Sequence, residues 1–208
     1  MSPGFRVCLN SILRFYPTRQ SLIMQGSVRP DWQRVRSEDG PQLKIFNVRF
    51  DHMRNPRNQK VERMVILESP DAANVVARRA SDGAILFVEQ YRFGIGRNTL
   101  ELPGGMVDSG EAQELAARRE LLEETGAEAR SWQFLGKIPS NPVFQDSYIF
   151  HWLAEGAEVI QSPILDDGED VVIKWLSEAE VKDRLFSGQF EHPHTVNALL
   201  LYFHQKEK

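Results

Sequence analysis

Residues 105–127 read GMVDSGEAQELAARRELLEETGA, and the end of this stretch breaks a rule that its beginning obeys. Its middle is built from Ala, Leu, Arg and Glu, all good helix formers. Asp108 is the expected N-cap, Glu111 three residues on completes a capping box, and Gly126 is the expected stop. A helix is therefore predicted from about Ser109 to Thr125. Yet Glu120, Glu123 and Glu124 crowd its last turn. Like charges three and four residues apart repel, and carboxylates at a helix C-terminus lie at the wrong end of its macrodipole.

On a wheel of about 100° per residue, the three carboxylates share one arc beside a stripe led by Leu115 and Leu122, which is read as the inward face. Glu120 and Glu124 are one turn apart and converge on a single point. Hard divalent cations take oxygen ligands, and carboxylates suit Mg²⁺ or Mn²⁺. A metal would turn a costly cluster of negative charge into a binding site. Functional sites are where local rules of this kind are broken.

A solvated acidic helix end would account for the pair Glu123-Glu124 alone. The wider spacing is more specific: Gly105, five residues, Glu111, seven residues, then Arg119-Glu120-Leu121, Glu123-Glu124 and Gly126-Ala127. This pattern resembles the Nudix box of nucleoside-diphosphate-X hydrolases. Seven fixed positions agree, and chance agreement over the chain is on the order of 10⁻⁷ at roughly one in twenty per position. Only Ala127 departs, standing where a bulkier aliphatic is usual.

The resemblance implies Glu120 and Glu124 as principal metal ligands, with Glu123 sharing the site and a backbone carbonyl at Gly104–Gly105 adding an oxygen. Arg119 would pair with a carboxylate of the box, Glu111 first, through a two-pronged fork that lysine cannot supply. Water would attack one phosphorus of a diphosphate. The segment ILFVEQYRFGIGRNTLELPGG (85–105) is similar to ADP-ribose and nucleotide-sugar pyrophosphatases, and so is Pro142, fifteen residues past Ala127. Arg92 and Glu101 are assigned to substrate, Arg92 as a phosphate holder. A late acidic loop commonly provides the general base in such enzymes, and DDGEDVV (166–172) offers Glu169.

Outside this region the chain is unremarkable in composition. It has 208 residues, 41% hydrophobic and 26% charged, a net charge of −4 and one cysteine, Cys8. The charge gives no general attraction to nucleic acid or anionic membrane, a lone cysteine forms no intrachain disulfide, and no apolar run approaches a membrane span. A cytoplasmic protein is expected. The first thirty residues hold Arg6, Arg14, Arg19 and Arg29 and no acid, so an organellar leader is the alternative.

Strands are expected at 43–50, 60–68, 73–79, 84–91, 132–138, 147–154 and 171–176, and further helices at about 178–186 and 195–205. That gives an α/β chain with the Nudix fold: a mixed sheet sandwiched between helices, and a small strand-rich N-terminal subdomain. The expected divisions are an extension over 1–28, the subdomain over 29–67 and the hydrolase domain over 68–208. The family resemblance, together with a strand-rich segment over 43–68 too small for a core of its own, implies a homodimer through this subdomain. Trp32, Phe46 and Phe50 suit base stacking or packing equally. His192-Pro193-His194 is read as an ordinary helix start rather than a metal site, and His52, His151 and His204 have no companions at ligand spacing.

The expected activity is Mg²⁺- or Mn²⁺-dependent hydrolysis of a nucleoside-diphosphate sugar, ADP-ribose favoured. Alternatives are another diphosphate, such as GDP-mannose or a dinucleotide, or a silent nucleotide-sensing module. The intact box carboxylates argue against the silent module.

Overall fold

The computed structural model describes residues 30–165, 168 and 170–207. The N-terminal extension 1–28, with Cys8, lies outside the described residues, as does Glu169.

Three antiparallel strands come first, β1 (Gln33–Gln42), β2 (Asn47–Arg54) and β3 (Val61–Glu68), in the order β1-β2-β3. β1 was not expected, because its sequence QRVRSEDGPQ lacks the apolar alternation that marks a strand, and nearly all of it is exposed. The expected strand at 43–50 begins only at Asn47, since residues 43–46 form the connection closed by Leu43 N–H donating to Phe46 O at 2.7 Å. Asp51, buried in β2, accepts from Ser37 at 2.6 Å and from Arg49 at 3.1 Å. The Arg63 guanidinium covers the Phe50 ring at 3.5 Å.

The main sheet contains β4 (Ala72–Arg79), β5 (Ile85–Arg92), β6 (Arg97–Glu101), β7 (Gly104–Met106), β8 (Ala127–Glu128), β9 (Ser131–Pro139), β10 (Tyr148–Val159) and β11 (Val171–Leu176). Its central order is β11-β5-β4-β10-β8, with β6 on β5, β7 on β4 and β9 on β10. β4 and β10 are parallel while the other pairs are antiparallel, so the sheet is mixed. Helix α1 (Gln113–Thr125) covers one face; α2 (Glu178–Phe186) and α3 (Pro193–Lys206) cover the other.

Strand β4 shows why the sandwich forms. Val75 and Ala77 pack toward α1, while Val76 between them packs with Phe87, Val181, Leu199 and Tyr202 on the α2–α3 side. A strand covered on both faces reads as a continuous apolar run, as VVA does here.

The helices differ in detail from expectation. α1 starts at Gln113, not Ser109, and its N-cap Ala112 makes no side-chain capping bond. Asp108 and Glu111 do make half of the expected box, the Asp108 N–H donating to Glu111 Oε2 at 3.1 Å, but they close a separate turn. The inward face also differs. Leu115 is 57% exposed, and the buried residues are Ala116, Ala117, Leu121, Glu124 and Thr125. Small alanines let the helix backbone approach β4 closely, and that contact sets the rotation. The stop at Gly126 (φ 66°) and the Ser177 cap of α2 are as expected.

Candidate active site

Sequence neighbours Gly104 and Gly105 open β7, paired against Asn74 and Ala73 of β4. Both positions need glycine. A Cβ on Gly104 would lie 2.2 Å from the Ala73 carbonyl oxygen; one on Gly105 would lie 2.4 Å from the Glu120 carboxylate. The Gly104 N–H donates to Glu124 Oε2 at 2.8 Å, and Glu124 is 4% exposed. The two carboxylates one turn apart on α1 therefore meet the same two-glycine strand.

Arg119 organises the rest. Its Nε and Nη2 donate to the two oxygens of Glu111 at 3.2 and 3.1 Å, as expected. Nη1 reaches Glu120 at 2.8 Å and Glu123 at 3.0 Å, and Nη2 also reaches the Met106 carbonyl at 2.9 Å. These hydrogen bonds, those to Glu111 first, hold the guanidinium well above its ordinary range and draw Glu111 below the usual carboxylate range. The repulsion among the acids of the last turn is thus partly offset within the protein, by one arginine and one backbone N–H.

Opposite stands a second charged group. Arg92 ends β5 and forks onto Glu101 of β6, with Nε and Nη2 each 2.7 Å from a carboxylate oxygen. Burial pushes Glu101 up, but Arg92, His192 and the Thr99 hydroxyl outweigh it and leave the carboxyl below its ordinary value. His192 Nδ1 stands 3.0 Å from Glu101 Oε2, an oxygen that Arg92 also holds. Buried His151 faces Asn74 Oδ1 at 2.7 Å, and Asn74 in turn donates to the His194 carbonyl at 3.2 Å.

All of this borders one cavity of about 450 Å³, lined by Arg92, Glu101, Gly104, Gly105, Arg119, Glu120, Glu123 and Glu124 together with Asn74, Gln90, Asp108, His192 and His194. Every described residue of the expected site except Glu111 lines it. Glu111 is held just behind by Arg119, and Glu169 is outside the described residues. The histidines were dismissed from sequence as a helix start. They are that, with His192 as N-cap and Pro193 in the first turn of α3, but the helix start itself forms the cavity wall. The available signal was two imidazoles immediately before an apolar helix in a chain with only five histidines.

The donor set fits a hard divalent cation. Carboxylate oxygens of Glu120 and Glu124 converge on a strand whose glycines leave room that any Cβ would fill. Among the described residues no three His, Cys, Asp or Glu side chains already enclose an ion, Glu123 being turned to Arg119. Glu120, Glu124 and the Gly104–Gly105 backbone are the groups that would hold one, with Glu123 adjacent.

Comparison with known proteins bears on this arrangement. A NUDIX domain model matches residues 68–198. The chain is 35% identical over 161 residues to an ADP-ribose pyrophosphatase of Mycobacterium tuberculosis, covering 76% of this chain and 77% of that protein. It is 30% identical over 139 residues to a methanol dehydrogenase activator of Bacillus methanolicus, covering 65% and 74% respectively. The crystal structure of an ADP compounds hydrolase superposes with a TM-score of 0.75 at 21% identity, covering 88% of this chain and 97% of that one.

Proposed function

The chain belongs to the Nudix hydrolase family, and from that premise we propose that it hydrolyses the pyrophosphate bond of a nucleoside-diphosphate sugar, ADP-ribose first, with a divalent cation as cofactor. The observation that carries the proposal is the two-walled cavity. Carboxylates organised by Arg119 form one side, and Arg92 clamped on buried Glu101 forms the other. A nucleoside-diphosphate sugar has phosphate charge for the cationic groups and, on its two sugars, hydroxyls for the polar ones.

Mg²⁺ or Mn²⁺ held by Glu120 and Glu124 would neutralise phosphate charge and lower the pKa of the attacking water. The protein's own residues do the rest. Arg119 fixes Glu120 and Glu123 in place, and Arg92 presents its guanidinium edge to a phosphate oxygen. Glu169 takes the proton released by the water. The water oxygen bonds to one phosphorus as the bridging P–O bond breaks, leaving a nucleoside monophosphate and a sugar phosphate. The exposed apolar residues Val35, Leu43, Ile45, Val61 and Val65 of the three-stranded sheet and its connection support a homodimer through that subdomain.

The test is a panel of nucleoside-diphosphate derivatives incubated with Mg²⁺, read by release of nucleoside monophosphate. ADP-ribose is expected to be cleaved to AMP, with activity abolished by a chelator and restored by Mg²⁺ or Mn²⁺. Cleavage that persists in a metal-stripped sample, or indifference to every nucleotide sugar, would overturn the proposal.

A further inference from the structure

The ring of His192 is held from behind. Its Nδ1 lies 3.0 Å from Glu101 Oε2 and 3.1 Å from the Thr195 hydroxyl, which itself accepts the Leu102 N–H at 3.0 Å. Glu101 is 1% exposed, and Arg92 engages both its oxygens. An ionised carboxylate clamped in this way only accepts hydrogen bonds, so the proton of this contact sits on Nδ1. Burial pushes the His192 ring down to about 4 against the pull of Glu101, which keeps it neutral near pH 7. A neutral imidazole with its proton on Nδ1 carries its lone pair on Nε2.

That second nitrogen is the working end. His192 lines the cavity, and its Nε2 is neither among the buried polar atoms that lack a partner nor bonded to any described residue. A lone pair with a carboxylate behind it repels phosphate oxygens. A cation is poorly served too, since the carboxylate beside the ring, Glu101, is spent on Arg92. What suits an acceptor on this wall is a neutral donor, and in the substrate class proposed above that donor is a sugar hydroxyl.

We propose that His192 Nε2, oriented by Glu101 and Thr195, accepts a hydrogen bond from a sugar hydroxyl of the substrate and so makes the enzyme selective for hydroxyl-bearing diphosphate esters. This rests on the reading of the cavity as a nucleotide-sugar site. A site built around a substrate hydroxyl discriminates strongly against the analogue that lacks it, because an acceptor desolvated by the bound analogue is then left unpaired.

The experiment compares wild type, His192→Phe and His192→Gln on ADP-ribose, on its 2′,3′-dideoxyadenosine counterpart and on a simple alkyl ester of ADP. Circular dichroism melting confirms that each variant is folded. Wild type should show a KM raised about tenfold for at least one of the two hydroxyl-poor compounds. His192→Phe should raise KM for ADP-ribose about tenfold with kcat within threefold, and should lose that discrimination. His192→Gln, whose amide oxygen can accept, should recover part of it. An unchanged KM, an equal rise on all three compounds, or a fall in kcat alone would overturn the inference while leaving the substrate reading intact. A wild-type enzyme inert on the whole set would overturn both.

Discussion

Arg119 grips both oxygens of Glu111 with two of its nitrogens, at 3.1 and 3.2 Å, while the third holds Glu120 and Glu123. Lysine offers one point charge in place of this planar fork. Arg119→Lys should therefore lower kcat at least tenfold, about 1.4 kcal/mol in the barrier, although net charge is kept. Steady-state kinetics with matched thermal melts checks this; an unchanged rate would mean that the arginine does not position the carboxylates.

The two glycines of β7 should fail differently when given a methyl group. At Gly105 the added Cβ meets the movable end of Glu120, so Gly105→Ala should displace that carboxylate and cost roughly 10²-fold in kcat with little loss of stability. At Gly104 it meets the Ala73 backbone carbonyl at 2.2 Å, which cannot yield. Gly104→Ala should cost roughly 2–3 kcal/mol of folding stability. Melting curves and turnover measured on both variants separate the two effects.

Acid should destabilise the protein before its carboxylates titrate. Burial pushes His151 from 6.5 down to about 4, and His192 likewise, with His194 shifted in the same direction. The unfolded rings take up protons that the folded ones refuse, so this stability is present above pH 6.5 and is lost as pH falls from 6.5 toward 4. The gap at His151 alone is worth roughly 3 kcal/mol. Glu101 and Glu111, both lowered from 4.5, add their loss only further down. Denaturant unfolding between pH 7 and 4.5 should show the decline, and His151→Gln should flatten it.

Glu169 carries the proton-acceptor assignment on sequence grounds. Glu169→Gln should lower turnover by roughly 10²–10⁴-fold and flatten the acidic limb of the pH–rate profile. Asp166→Asn should be nearly silent. Wild-type turnover in Glu169→Gln would move the base to Glu120 or Glu123.

The site's acidic wall was legible in the sequence because its residues serve one helix at fixed spacing, and spacing survives without coordinates. Arg119, Glu120 and Glu124 stand on α1 and line the cavity with Gly105, while Glu111 lies before the helix and is held behind the cavity by Arg119. The opposite wall was legible only in Arg92 and Glu101, while His192 and His194 were not read as part of it. It is assembled from β5, β6 and the first turn of α3, so the contact between Glu101 and His192 spans 91 positions that no local pattern connects. The rotation of α1 was misread for a related reason. Leucine is the stronger hydrophobe, but the space over β4 admits Ala116 and Ala117, and Leu115 is turned outward. β1 was invisible because a strand held by its partner's backbone needs no apolar face.

The placement of β7 on β4 also governs how the site breathes. β4 is flanked by β5 and β10 and is sealed on both faces, its Val75, Val76 and Ala77 all fully inaccessible. Gly104 and Gly105 are laced to it, and the Val75 N–H reaches the Pro103 carbonyl at 2.9 Å. Solvent deuterium can reach the sealed Val75 amide only when β4 comes away from its neighbours, so its exchange should report the global free energy of unfolding rather than a local opening. The strand that carries the cavity floor is then the last part of the molecule to loosen, and adaptation to different ligands falls to the rim.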